Sequence, residues 1–264
     1  MILIKEEKYL ELKKEWHSAI NFRTSRRAYI DKELGEFEVN RITSLINEVN
    51  KEGNLKIQFI KDGSKLMNGF KASYGMISGA KSFIALVGNK NIKNLKNRVG
   101  YYGEFIVLEC TNLGVGSCWL GGTYDKEECK KHISLSKDDE LVCIICLGYV
   151  NKDKSLKEKL ISKLSMNTMD KNKFLISQDQ VPGWVNSGVD SAIKAPSTLN
   201  KKPVSYSFIN GKLKAFITKG NHGFEAVDLG IAMSHFQLGA LSNGVYGKWE
   251  VENHEYVFKI KSTS

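Results

Sequence analysis

Arg23, Ser25 and Arg27 alternate within the run Arg23-Thr24-Ser25-Arg26-Arg27-Ala28-Tyr29. A guanidinium is planar and permanently charged, and it donates two parallel N–H bonds, so such a run suits a phosphate. In the opposite half of the chain stands Ala195-Pro196-Ser197-Thr198-Leu199-Asn200-Lys201-Lys202-Pro203. Pro196 fixes its own φ and biases Ala195 away from helix, so a helix over about 185–194 must end there. Ser197 and Asn200 can then face a ligand with short polar groups. A third stretch, Trp119-Leu120-Gly121-Gly122, offers two residues with no side chain to collide with a closely approaching ligand.

These segments need elements to position them. A polar helix is expected over 5–19, leading into the arginine run, which could converge on one ligand if it enters a helix. Phe37, Val39, Ile42, Leu45, Ile46 and Val49 recur at helical spacing and predict a helix over 36–50, broken by Glu52-Gly53-Asn54. Strands are expected over 55–60 and 82–87, with helix over 66–74 between them. Residues 101–113 are apolar nearly all round, so that helix is buried, and Gly114 stops it. A loop over 117–122, a short helix over 125–132 and a strand over 141–149 follow. The charged stretch 151–164 is expected to link two halves across the surface.

The second half repeats part of this plan. Gly114-Val115 with Trp119 has a counterpart in Gly244-Val245 with Trp249, 130 positions on. The same offset sets 100–113 against 230–243, and the strand-like 213–217 precedes the latter as 83–87 precedes the former. Helices alternating with strands argue for an α+β sheet covered by helices. Gly-x-Gly-x-x-Gly is absent, so a Rossmann dinucleotide site is not indicated.

The 39 basic and 29 acidic residues give a net charge of +10, which favours anionic partners. The lysines are dispersed and accompany no nucleic-acid-binding motif, so a solvated basic surface is the expectation. No apolar run approaches the ~18 residues of a membrane helix, and the charged start leaves no room for a signal peptide; a cytoplasmic protein is expected. Cys143 and Cys146 sit three apart in a strand-like run, where they point to opposite faces and pack as small hydrophobes. His17, His132, His222, His235 and His254 lack metal-ligand spacing. His235, on the apolar second-half helix, reads as a satisfied core histidine.

The arginine run, the Ala-Pro-Ser segment and the glycine pair together resemble the signature motifs of the FMN-dependent nitroreductase family, over approximately residues 20–150 and 184–249. In that family the two motifs lie close in sequence and a homodimer brings one from each subunit together. Their separation here resembles the fused-repeat branch, an intramolecular pseudo-dimer with a first half over 1–164 and a second, shorter half over 165–264. The resemblance implies that Arg23 and Ser25 hold the FMN phosphate end, that Thr24 between them is also flavin-binding, and that Arg27 reaches the pyrimidine edge. Pro196, Ser197, Thr198 and Asn200 would face the flavin from the other half, and a backbone N–H of Leu120, Gly121 or Gly122 would reach its N5. Lys202, which the resemblance also places among the flavin-binding residues, stands where the family carries Gln, and Val204 where an aromatic residue is usual. The second half has Trp249-Glu250-Val251-Glu252 without glycine and no second arginine run, so one FMN per chain is expected. NAD(P)H would be the reductant and a nitroaromatic or quinone the acceptor, in a ping-pong cycle carried by the cofactor without a protein acid, base or nucleophile. The residues 70–76 would line the substrate mouth. A flavin-binding or storage protein without turnover is the alternative, and the fused chain is expected to need no partner copy.

Overall fold

The structure, a computed structural model, describes residues 10–67, 77–155, 158–159 and 173–261. The chain enters helix α1 (Lys14–Phe22), which buries Trp16, Ala19 and Ile20. It begins later than polarity suggested, because only from Trp16 onward is there an apolar stripe to hold a helix on the core. Residues 5–9 of the expected helix lie outside the described residues. Helix α2 (Glu36–Gly53) buries Ile42, Leu45, Ile46 and Val49. Gly53 does not break it; the stop comes one residue later, where Asn54 adopts the left-handed conformation at φ 50°.

The first sheet contains β1 (Gln58–Ile60), β2 (Ser82–Asn89), β3 (Gly116–Leu120) and β4 (Asp139–Gly148), in the order β1-β2-β4-β3 and antiparallel throughout. Its two middle strands, β2 and β4, are buried along most of their length because both faces are covered. One face packs on α2 and on α3 (Leu95–Asn112), and the other on a smaller cluster around Tyr29, Leu66 and Tyr124. Cys143 faces the first cluster and Cys146 the second, and all five cysteines are buried and free. The stretch 117–120, expected as loop, is strand: Cys118 pairs with Cys146 and Leu120 with Ile144. Irregular backbone begins only at Gly121. Helix α4 (Lys126–Lys131) follows, with the Asp125 carboxylate accepting from Glu128 N as its cap. Of the helix expected over 66–74, only its start is described, and Ser64–Met67 forms a single 3-10 turn.

Beyond β4 come β5 (Leu175–Ser177), α5 (Gly183–Ile193), β6 (Val204–Ile209), β7 (Lys212–Ile217), α6 (Glu225–Ser242), β8 (Gly247–Glu252) and β9 (Glu255–Ile260). The second sheet runs β5-β6-β7-β9-β8, antiparallel except where β5 joins β6. In β7, Leu213 and Ala215 are buried while Lys212 and Lys214 turn outward, the alternation of a sheet with one face on the core. The fold is α+β, with mostly antiparallel sheets covered by helices.

Helices α3 and α6 cross at the centre. A Cβ on Gly100 would lie 2.1 Å from Val227 O, and one on Gly230 would lie 2.0 Å from Asn97 O. Backbone rests on backbone here, so only glycine fits. The contact is reciprocal: Asn97 and Gly100 of one helix correspond to Val227 and Gly230 of the other, each pair 130 positions apart. Both helices end alike as well. Gly114 (φ 71°) and Gly244 (φ 78°) take the left-handed turn, and Val115 N and Val245 N return to Cys110 O and Ala240 O at 2.8 and 3.1 Å. The strand order β1-β2-β4-β3 is matched by β6-β7-β9-β8.

Candidate functional site

Arg23 lies just past α1, where its amide donates to Ala19 O at 2.8 Å. The arginine run therefore leaves a helix instead of entering one. It continues through isolated bridges, Ser25 beside Ser117 and Ala28 beside Ser78, with Arg26 N donating to Ser117 O at 2.9 Å. In extended backbone, alternate side chains share a side. Arg23, Ser25 and Arg27 all approach the Cys118 thiol, whose pKa burial raises and these three groups lower.

Arg26 turns the other way and anchors the run. Its Nε donates to Glu158 Oε1 at 3.0 Å, and the same oxygen accepts Arg27 N at 2.7 Å. Ser155 N donates to Glu158 Oε2 at 2.8 Å. Burial raises the Glu158 pKa, but these bonds outweigh it and hold the carboxyl down at about 2. The charged stretch expected as a surface link thus contains a buried clamp on the arginine run.

The Arg23 guanidinium reaches inward toward α3. Its Nε lies 3.8 Å from Glu104 Oε1 and has no hydrogen-bond partner. Burial lowers the Arg23 pKa, with Glu104 opposing. Glu104 is fully buried and accepts from Trp119 Nε1 at 2.8 Å. It also meets His235 Nε2 at 2.8 Å, while His235 Nδ1 faces Ser191 O at 3.1 Å. Both imidazole nitrogens thus face oxygens, and a proton held on one partner or the other joins His235 to Glu104. His235 is a satisfied core residue, and burial holds its pKa low.

The second motif closes on itself and on α6. Helix α5 ends at Ile193, three residues before Pro196. Lys202 N donates to Ser197 Oγ at 2.9 Å. The Lys202 ammonium turns back to Ile193 O at 3.0 Å and to Ala195 O, serving as a cap on α5. Burial, with Arg23 nearby, brings its pKa down to about 8. Thr198 donates through N and Oγ1 to Asp228 Oδ1 at 2.9 and 3.2 Å, and Asn221 Nδ2 donates to Asp228 Oδ2 at 2.7 Å. Leu199, Asn200 and Lys202 all carry positive φ, at 51°, 54° and 48°. Each such non-glycine residue costs on the order of 1 kcal/mol, so the network around Asp228 holds a strained turn in place.

The glycine stretch completes the arrangement. A Cβ on Gly121 would meet the Phe224 ring at 2.7 Å, whereas one on Gly122 would meet nothing within 4 Å. Phe224 immediately precedes α6, the helix that carries Asp228. The three segments therefore come together: Arg23 through Glu104 to Trp119, Gly121 through Phe224 and Asp228 to Thr198, and Lys202 back to Arg23. Pro196, Ser197, Lys202 and Asp228 line a small cleft against Tyr206 and Ala232, on the side of the Ala-Pro-Ser turn. Thr24 and Asn200 stand half-buried at the edge of the group. The residues 70–76 expected at the substrate mouth lie outside the described residues.

Glu104, Asp228, Phe224 and Glu158 were not singled out from the sequence. Glu104 had a signal, being an acid on a helix apolar nearly all round. Asp228 had the same signal on α6. Glu158 had none, since it sits in a run of lysines. Among the described residues no cluster of three potential metal ligands occurs, and no helix is long and apolar enough to cross a membrane.

Residues 15–240 match the model of the family described as "Putative TM nitroreductase". The chain belongs to that family. A Thermotoga maritima crystal structure described as a "putative nitroreductase" shares the fold, with TM-score 0.60 and 21% identity over 97% of this chain and 99% of that one. An FMN-dependent nitroreductase from Clostridium difficile R20291 aligns over 52% of this chain and 88% of its own, at 19% identity and TM-score 0.44. A nitroreductase with bound FMN from Bacteroides fragilis aligns over 55% of this chain and 95% of its own, at 18% identity and TM-score 0.42. No curated protein matches the chain.

Proposed function

We propose that this chain is an FMN-dependent oxidoreductase made of two related halves, 1–164 and 165–264, that share one flavin site. The observation that carries the reading is the meeting of the arginine run, the glycine stretch and the Ala-Pro-Ser turn at one place, although they come from opposite halves. The donor set suits the cofactor. Arg23 keeps a buried Nε without a hydrogen-bond partner, and Arg27 has no side-chain ion pair among the described residues. Gly122 opens on free space.

Arg23 and Ser25 would hold the phosphate with charge-assisted bonds. Arg27 would place positive charge at the pyrimidine edge, where it favours an anionic reduced ring. Ser197 and Asn200 would orient the ring system from the other half, and the backbone at Gly121-Gly122 would approach its reactive edge. When bound, FMN supplies the redox chemistry, taking hydride from NAD(P)H and reducing a small aromatic acceptor such as a nitroaromatic or quinone. Donor and acceptor would use the same open face in turn, a ping-pong order.

The test begins with the absorption spectrum of the purified protein and the flavin released per chain. One FMN per chain, followed by steady-state oxidation of NADH or NADPH that depends on acceptor, is the expected result. A holoprotein inert to both nucleotides would reduce the reading to flavin binding alone. No flavin after reconstitution with excess FMN would overturn it.

A further inference from the structure

The 130-residue correspondence gives the candidate site an image on the other side of the α3–α6 crossing. Phe224, just before α6, and Asp228 and Ala232 within it correspond to Asn94, just before α3, and Arg98 and Tyr102 within it. Trp119 and Gly121 correspond to Trp249 and Val251. The image residues all line one cleft of about 960 Å³. That volume falls within the range typical of small-molecule sites. The arginine run and the glycine stretch have no counterpart there, yet the cleft remains.

The geometry points to this cleft as a second ligand site, one that takes a planar aromatic anion other than the flavin. At one position of the wall the sign changes, because Arg98 stands where Asp228 stands. The Arg98 Nη1 donates to Gly53 O at 3.1 Å, which fixes the guanidinium at the wall. The first turn of α3 opens here as well, and Asn94 makes no side-chain cap to its amides. A helix N-terminus beside a fixed cation favours an anionic group. Basic side chains outnumber acidic ones along the wall.

The aromatic requirement comes from the remaining walls. The Tyr101 and Tyr102 rings stand edge to face with centroids 5.0 Å apart, and Trp249 is pinned by its Nε1 donating to Met233 O at 3.0 Å. Such surfaces stack a flat ring. Val251 carries a side chain where Gly121 has none, so a ring cannot approach the backbone as closely as the flavin reading requires at Gly121.

The test is calorimetric titration of the flavin-loaded protein with 5′-AMP and with salicylate, which separate a phosphate from a carboxylate as the anionic end. Saturable binding of at least one, one per chain, is expected. Arg98→Gln and Val251→Trp should each weaken it about tenfold or more, and Lys130→Ala, which removes an exposed lysine of α4 away from both sites, should leave it unchanged. Val251 is exposed, so its variant keeps the test alive if Arg98→Gln fails to fold. Three results would overturn the site: no saturable binding of either anion, unaltered binding in Val251→Trp, or loss in Lys130→Ala. Flavin content read on the same samples tests the proposed function separately, since a chain without flavin can still be titrated.

Discussion

The two sides of the α3–α6 crossing follow one backbone plan and carry different side chains. On one side Asp228 gathers Thr198 and Asn221, and Trp119 donates to the carboxylate of Glu104. On the other, Arg98 takes the place of Asp228, and Trp249 donates to the backbone carbonyl of Met233. What they share is main chain: the glycine crossing, the left-handed glycine after each helix, and the strand order. The crossing is fixed by sterics that only glycine satisfies, and the left-handed turns favour it, whereas the lining can change one side chain at a time. A fold of this kind can thus keep one backbone frame while its two sides carry different side chains.

The crossing itself is the place to break the comparison most severely. Gly100→Ala or Gly230→Ala drives a methyl into a backbone carbonyl, and each should cost upwards of about 4 kcal/mol. Gly114→Ala, which suffers only from its positive φ, should cost about 1 kcal/mol. Thermal unfolding of the three variants decides it, and near-native midpoints for both crossing variants would remove the crossing as the common frame. The next effect concerns the site. Arg23→Ala should weaken FMN binding by roughly thirtyfold and Ser197→Ala by about threefold to tenfold, although the two residues lie in different halves. Fluorescence titration with FMN reads both, and an unchanged affinity in either variant breaks the shared site.

A subtler difference concerns acid. The Glu158 carboxyl, held at about 2 in the folded chain, lies below its ordinary range near 4.5. The stabilisation it gives is complete above that range and is lost as pH falls from about 4.5 toward 2, a loss of roughly 2 kcal/mol. Glu158→Gln should be less stable at neutral pH and lose less than wild type across that window in urea unfolding. A wild-type acid limb that the variant reproduces in full would show that other carboxylates govern it. The smallest contrast lies between neighbouring glycines. Gly121→Ala must displace the Phe224 ring and should cost about 1–2 kcal/mol, whereas Gly122→Ala meets open space and should stay within about 0.5 kcal/mol.

The sequence made the long buried helices legible because their apolar residues fill every face, and it singled out the three candidate segments through short, unusual combinations of residues. The opposite facing of Cys143 and Cys146 followed from strand periodicity alone. Contacts at long range were not legible. Trp119 and Leu120 read as loop because the glycines after them dominate the local pattern, but pairing with β4 draws them into strand. Glu158 looks like one acid among surface lysines until the fold brings Arg26 to it. Lys202 stands in a motif position, and only the end of α5 shows that its ammonium is used on Ile193 and Ala195 carbonyls.

The contact between Gly121 and Phe224 joins segments that a single chain delivers together. A cleft shared between separate molecules empties when the protein is diluted below the dissociation constant of the pair. Here the two walls are held at a fixed local concentration by covalent connection. The proposed turnover per chain should therefore stay constant from micromolar to nanomolar protein, and the proposed shared site should re-form after unfolding at a rate independent of how much protein is present.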